Sequence, residues 1–99
     1  MRRGTTPTLT FTTPYEASLI QDGYITLTQK DVVIEYELSD PAVIVRDKEI
    51  QVTLTQTETL SLSEGSAMVQ IRATLTGDKK VASDILTFKI GDILKDGEI

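Results

Sequence analysis

The sequence contains no cysteine, no histidine and no tryptophan among its 99 residues. Without cysteine the chain can form neither a disulfide nor a thiolate-based zinc site, and it has no thiol nucleophile. Without histidine it lacks the side chain that most often acts as a general base or metal ligand near neutral pH. We therefore expect a protein without enzyme activity and without a cofactor.

Long apolar runs and positive charge are also scarce. No apolar run approaches the ~18 residues that a membrane-spanning helix needs. The basic pair Arg2 and Arg3 is not followed by the apolar core of a signal peptide. The formal net charge of −5 disfavours contact with phosphates and with anionic membranes. We predict a protein kept in the cytoplasm until it meets a partner, with no nucleic acid, membrane or small-molecule substrate among its ligands.

The sequence is instead rich in threonine and in alternating polar and apolar positions. An alternation with a period of two residues predicts strands with one buried face. It occurs in six segments, namely 8–12, 24–29, 32–38, 50–55, 66–75 and 81–90, and the short apolar run 42–45 is expected to form a seventh strand. Turn signals about every 8–12 residues favour a sandwich over βαβ units. We predict one all-β domain over 1–99, an Ig-like antiparallel β-sandwich of about seven strands. "Ig-like" refers to architecture alone, because the cysteine pair and the core tryptophan are missing.

Short local motifs predict the connections. Lys30-Asp31 is expected to join an antiparallel hairpin, and Asp22-Gly23 reads as a turn. The segment Thr55-Gln56-Thr57-Glu58 matches a capping box and predicts one short helical turn, with a carboxylate site at Glu58 as the functional alternative.

Carboxylates elsewhere on the strands suggest no chemistry. Glu35 and Glu37 alternate with apolar residues on a predicted strand. This pattern predicts a solvated strand face and not a catalytic carboxylate pair.

The two ends of the chain each leave two interpretations open. Residues 1–6 are either a solvated lead-in to an edge strand or an arm that contacts a partner. The apolar residues of the tail 92–99 either dock on a neighbouring subunit or fold back on their own sheet. The candidate partner-binding residues are Arg2, Arg3, Thr5, Thr6, Ile93, Leu94 and Ile99.

Three stretches carry a family resemblance: MRRGTTPTLTF at the start, IQVTLTQTETLSL in the middle and VQIRATLTGDKKVASDILTFKIGDILKDGEI at the end. Together with the length, the sequence resembles small, mostly uncharacterised proteins of tailed bacteriophages and prophages of Gram-positive bacteria. The first seven residues and the closing G-x-I-L-K-D-G are its most specific pieces. The resemblance implies a virion or assembly component encoded among structural genes, in the bacterial cytoplasm during assembly. It brings no catalytic residues, and it strengthens the interpretation of Arg2 and Arg3 as a docking arm.

The leading hypothesis is therefore a phage-derived structural or assembly protein of the tail, neck or baseplate type. Its partners would be other phage structural proteins or further copies of itself. One alternative is a carbohydrate- or surface-binding module that uses Tyr15, Tyr24 or Tyr36. The other is a small regulatory protein that acts on a host factor through its acidic surface.

Overall fold

The fold is an antiparallel β-sandwich, described over residues 1–99 by a computed structural model. Its elements in chain order are β1 (Thr8–Thr12), a 3₁₀ turn (Ala17–Leu19), β2 (Ile20–Gln29), β3 (Val32–Glu37), β4 (Val43–Arg46), β5 (Glu49–Thr53), α1 (Gln56–Leu60), β6 (Gly65–Leu75), β7 (Lys79–Ala82) and β8 (Leu86–Ile90). The predicted all-β sandwich class is confirmed. The strands number eight where about seven were expected. No helix is long and apolar enough to cross a membrane.

The two sheets differ in width. The narrow sheet has three strands in the order β1-β5-β4. The wide sheet has the order β3-β2-β6, and β7 and β8 both pair with the far side of β6, one after the other along its length. The wide sheet is thus four strands across, and one strand of it has no counterpart in the narrow sheet.

Alternating apolar side chains fill the space between the sheets, as the sequence pattern requires. The wide sheet contributes buried residues such as Ile25 and Leu27, and the narrow sheet contributes Ile50 and Val52. Each of these four side chains is at most 2% exposed. Full burial of such a side chain contributes about 1.5–3 kcal/mol to folding, and this core fixes the positions of the sheet edges.

The hairpin predicted at Lys30-Asp31 is confirmed, because β2 and β3 pair antiparallel with Gln29 opposite Val32. The turn predicted at Asp22-Gly23 is wrong, because both residues lie within β2. A Cβ atom at Gly23 would lie 2.2 Å from the carbonyl oxygen of Arg72 on β6. The glycine therefore permits a close approach of two strands and does not mark a chain reversal.

The single strand predicted over 81–90 is split into β7 and β8 by a bulge. Between the pairs Arg72–Ala82 and Val69–Leu86, two residues of β6 face three residues of the opposing chain. The Ser83 hydroxyl replaces a backbone acceptor there, because Ile71 N donates to Ser83 Oγ at 3.0 Å. In an uninterrupted strand, residues 81 and 86 would face opposite sides. Because of the bulge, Val81 and Leu86 both face the space between the sheets.

Candidate interaction surfaces

The predicted helical turn is present as α1, and its capping box is complete. Thr55 Oγ1 accepts from the backbone N–H of Glu58 at 3.1 Å, and Glu58 Oε1 accepts from the backbone N–H of Thr55 at 2.9 Å.

The same Glu58 carboxylate accepts a hydrogen bond from the Tyr36 hydroxyl of β3. Burial, and secondly this contact with Glu58, raise the pKa of the Tyr36 phenol above its ordinary range. Glu58 is thus used to cap α1 and to hold β3 against it, which is a structural role.

The N-terminal arm runs along the end of β8. Gly91 N donates to Met1 O at 2.6 Å, and Arg3 N donates to Gly91 O at 3.0 Å, as in a short parallel bridge. Thr5 Oγ1 donates to Arg2 O at 2.6 Å, while Thr6 is exposed. The arm is therefore paired with its own domain.

Arg3 joins the arm to the tail and to the C-terminal end of α1. Its side chain is 17% exposed, and all three guanidinium nitrogens have acceptors. Nε donates to Leu62 O at 2.8 Å and Nη2 donates to Leu60 O at 3.1 Å. Nη1 lies 3.2 Å from the nearest carboxylate oxygen of both Asp92 and Asp96. One side chain therefore ties three segments together.

Asp92 is held by two donors. The backbone N–H of Ile93, and secondly the Arg3 guanidinium, keep the pKa of the Asp92 carboxyl below its ordinary range. The backbone oxygen of Asp92 also accepts from Arg2 Nη1 at 2.8 Å. The start of the tail is thus fixed by both arginines of the opening motif.

The rest of the tail lies against α1. Glu98 accepts a hydrogen bond from the Thr57 hydroxyl, and Ile99 N donates to Gln56 Oε1 at 3.2 Å. Ile93 is half-buried, whereas the side chains of Leu94 and Ile99 are fully exposed. The backbone of the tail therefore folds back on its own domain, and two of its apolar side chains point into solvent. Partner binding by the seven candidate residues stays a prediction.

An apolar concave surface lies where the narrow sheet ends, and we call it the edge cleft. It is lined by residues of β1, β6, β7 and their flanking segments and has a volume of about 290 Å³. Its floor is the inner face of β6 with Ile71, Ala73 and Leu75, and Phe11 and Val81 form its sides. The sequence pattern identified these residues only as inward-facing, because the unequal width of the two sheets is a tertiary property.

Charge is nearly absent from the edge cleft. Asp84, in the bulge between β7 and β8, is the one charged residue in its lining. The Asp84 side chain forms no ion pair and no side-chain hydrogen bond. The cleft thus combines an apolar floor with a single unpaired carboxylate at its rim.

β1 borders the cleft with an unpaired backbone edge. Leu54 N donates to Pro7 O at 3.0 Å, and Thr13 N donates to Lys48 O at 2.9 Å. In an antiparallel pair only every second residue forms hydrogen bonds with the neighbouring strand. The N–H and C=O groups of the residues in between, here Thr8, Thr10 and Thr12, therefore point away from β5. Three donors and three acceptors therefore face the space beside the cleft.

The tyrosines provide little of the exposed aromatic surface that a sugar-binding site uses. Tyr36 is buried, Tyr15 is half-buried against the edge cleft, and Tyr24 is 46% exposed on the outer face of the wide sheet. A carbohydrate would thus meet one ring, where stacking sites are commonly built from several.

The family resemblance rests on the sequence stretches given above. Comparison of the chain with models of known protein families, with curated proteins and with solved structures finds no match.

Proposed function

We propose that this chain is a non-enzymatic structural or assembly protein of a tailed phage or prophage, of the tail, neck or baseplate type. It acts through protein–protein contacts, with other phage structural proteins or further copies of itself as partners. The observation that carries the proposal is the apolar edge cleft beside the unpaired edge of β1. An apolar surface next to free backbone donors and acceptors is a surface that binds polypeptide.

The placement of the titratable side chains supports a role without catalysis. The phenol of Tyr36 and the carboxylate of Glu58 have the closest contact between titratable groups, and both serve the junction of β3 with α1. The edge cleft contains a single carboxylate, that of Asp84, and the neighbouring Ser83 hydroxyl is used within the bulge, where it accepts from Ile71 N and donates to the backbone oxygen of Asp84. A cleft of this kind can recognise a chain by shape and by backbone hydrogen bonds.

The experiment is a search for the chain in the assembled particle. We expect mass spectrometry of purified particles to detect it at a fixed copy number, and deletion of its gene to arrest assembly at a defined intermediate. A matched control uses a strain that carries the Val33→Pro variant, which alters an edge far from the cleft. Normal particles from the deletion strain, together with absence of the chain from wild-type particles, would refute the proposal.

The exposed side chains of the tail provide a second test of the same function. Leu94→Ser and Ile99→Ser change residues that make no apolar contact within the domain, so they should leave the free energy of unfolding unchanged. If the tail binds a neighbouring subunit, these variants should reduce incorporation into particles. If both variants are incorporated as well as the wild type, the exposed side chains of the tail do not bind a partner.

A further inference from the structure

We infer that the edge cleft is an acceptor for one extended strand, donated by a different chain of the same assembly. The donated segment pairs with β1 and places an apolar side chain at every second position over the floor of the cleft. The inference deepens the proposed function and rests on it in one respect, namely that the donor belongs to the same assembly. The following observations define the donor.

The first observation is the geometry of the missing strand. The narrow sheet ends at β1, whereas the wide sheet continues to β7 beneath the cleft. Neighbouring strands lie about 4.8 Å apart, and a strand rises about 3.3 Å per residue. A segment opposite the five residues of β1 would therefore add a fourth strand to the narrow sheet and direct alternate side chains toward Ile71, Ala73 and Leu75.

The second observation is that the other edges are protected. β3 presents Glu35 and Glu37, β4 is only four residues long, and β7 presents two lysines. Part of the β8 edge is covered by the arm, through the bridge of Arg2 with Gly91. Charge, shortness and coverage are the common means of protecting an edge from strand addition. β1 has none of them, because threonine occupies every outward-facing position.

The third observation excludes pairing of β1 with β1 of another copy. Such pairing around a two-fold axis would continue the narrow sheet from one copy into the next. Each copy also brings its wide sheet, which extends one strand beyond β1 on the same side. The two wide sheets would then need the same space. Only a lone segment without a second layer can occupy the cleft.

The ends of this chain are unsuited to donation. The tail has apolar residues at Ile93, Leu94 and Ile99, a spacing that cannot direct three side chains to one face of a strand. The arm has no aliphatic or aromatic residue between Arg2 and Pro7. Residues 1–7 and 92–99 therefore do not fit the cleft as the added strand, and we assign the donor to a different polypeptide.

The charge of the cleft defines one further property of the donor. Asp84 is the only charged lining residue and has no partner within the domain. A lysine or arginine in the donor, placed at the end that lies near the bulge, would pair with it. Acidic donor residues at that place would be repelled by the Asp84 carboxylate. The donated strand therefore has a preferred direction and register.

The test uses the full chain, immobilised, and a displayed library of random short peptides as the probe. We expect the enriched peptides to carry apolar residues at alternate positions and a lysine or arginine at one end. Synthetic copies should shift the amide NMR signals of Thr8, Thr10 and Thr12. Enriched peptides without this alternation, or a footprint on another surface, would overturn the inference.

Two variants and a control separate strand addition from general binding. Thr10→Pro removes an outward-facing N–H and no ladder bond, and it should weaken peptide binding about tenfold. Val33→Pro makes the same change at the free edge of β3 and should leave affinity unchanged. Ala73→Leu fills the cleft without altering the backbone, so it tests the site even if Thr10→Pro fails to fold. Equal binding by Ala73→Leu and the wild type would contradict the inference.

The remaining outcomes distinguish this inference from the proposed function. If peptides bind the cleft as described but the chain is absent from particles, the proposed function is refuted and the acceptor inference is supported. If the chain is present in particles and Ala73→Leu is incorporated normally, the acceptor inference fails and the function stands. Concentration-dependent dimerisation that Thr10→Pro abolishes would identify a second copy as the occupant and would overturn the assignment of the donor.

Discussion

Arg3 Nη1 lies 3.2 Å from Oδ1 of Asp96, although the two residues are 93 positions apart in the sequence. The same guanidinium also binds the backbone oxygens of Leu60 and Leu62. The opening motif is thus part of the folded domain and holds the tail in place. Any contact that the arm makes with a partner has to be compatible with these bonds or has to replace them.

Replacement of Arg3 should be costly, and replacement of Arg2 should not. Arg3→Ala leaves two backbone acceptors and two carboxylates without their donor, and we expect a loss of about 1–3 kcal/mol in the free energy of unfolding. Arg2→Ala is the matched control, because its exposed guanidinium makes one hydrogen bond, to the backbone oxygen of Asp92. Urea titration of both variants measures the difference. An unfolding midpoint of Arg3→Ala equal to that of the wild type would show that the Arg3 contacts contribute nothing to stability.

Asp92 should make stability sensitive to acid. The pKa of its carboxyl is lowered in the folded state. Its contribution to the free energy of unfolding is therefore complete above the ordinary carboxyl pKa of about 3.9 and is lost as the pH falls through the folded-state pKa. In Asp92→Asn the unfolding midpoint should decline less between about pH 5 and pH 3 than in the wild type. Thermal scans across this range measure the effect. A parallel decline in both proteins would contradict the prediction.

Tyr36 should make stability sensitive to alkali. Its folded-state pKa is raised above the ordinary tyrosine value of about 10. The unfolded chain therefore loses the phenolic proton first, and the contribution of Tyr36 falls as pH rises above about 10. Tyr36→Phe should lower stability by about 1 kcal/mol at neutral pH and should flatten the alkaline decline. Chemical denaturation of the wild type and of Tyr36→Phe at several pH values measures the difference, and an equally steep alkaline decline in both would contradict the prediction.

Gly23 should tolerate no side chain. An added Cβ would lie 2.2 Å from Arg72 O and 2.9 Å from Ala73 Cα, and both are backbone atoms that cannot move without disturbing β6. We expect Gly23→Ala to cost about 3 kcal/mol or to abolish cooperative unfolding. At Gly91 the same atom would meet the Arg2 side chain at an ordinary 3.4 Å, so Gly91→Ala is the control. Wild-type stability of Gly23→Ala would refute the close packing of β2 on β6.

Local sequence signals predicted the parts of the fold that depend on local chemistry. Alternation located the strand cores, and the spacing of Thr55 and Glu58 predicted the cap of α1. A signal was misread where one residue type can serve two structural purposes, as glycine can in a turn and at a close approach of two strands. Gly23 looked like a turn residue, but its role depends on the approach of Arg72, which is 49 positions away.

The candidate surfaces were harder to predict, because each is produced by non-local pairing. The sequence identified Arg2 and Arg3 as residues with a specific role, but it could not indicate that Asp92 and Asp96 would be their neighbours. The sequence predicted an edge strand at residues 8–12, and β1 does lie at the edge of the narrow sheet. Nothing in that alternation, however, shows that the wide sheet extends one strand further. The edge cleft exists because the two sheets differ by one strand, and this number is set by the complete topology.

The bulge at Ser83 has a consequence for changes in chain length. Because three residues there face two residues of β6, the chain is one residue longer than continuous pairing requires. Deletion of Ile85 should fuse β7 and β8 into one uninterrupted strand, with Leu86, Phe88 and Ile90 still directed inward. Deletion of both Asp84 and Ile85 should reverse their orientation and expose them to water. The chain should therefore accept the single deletion at this position and reject the double one.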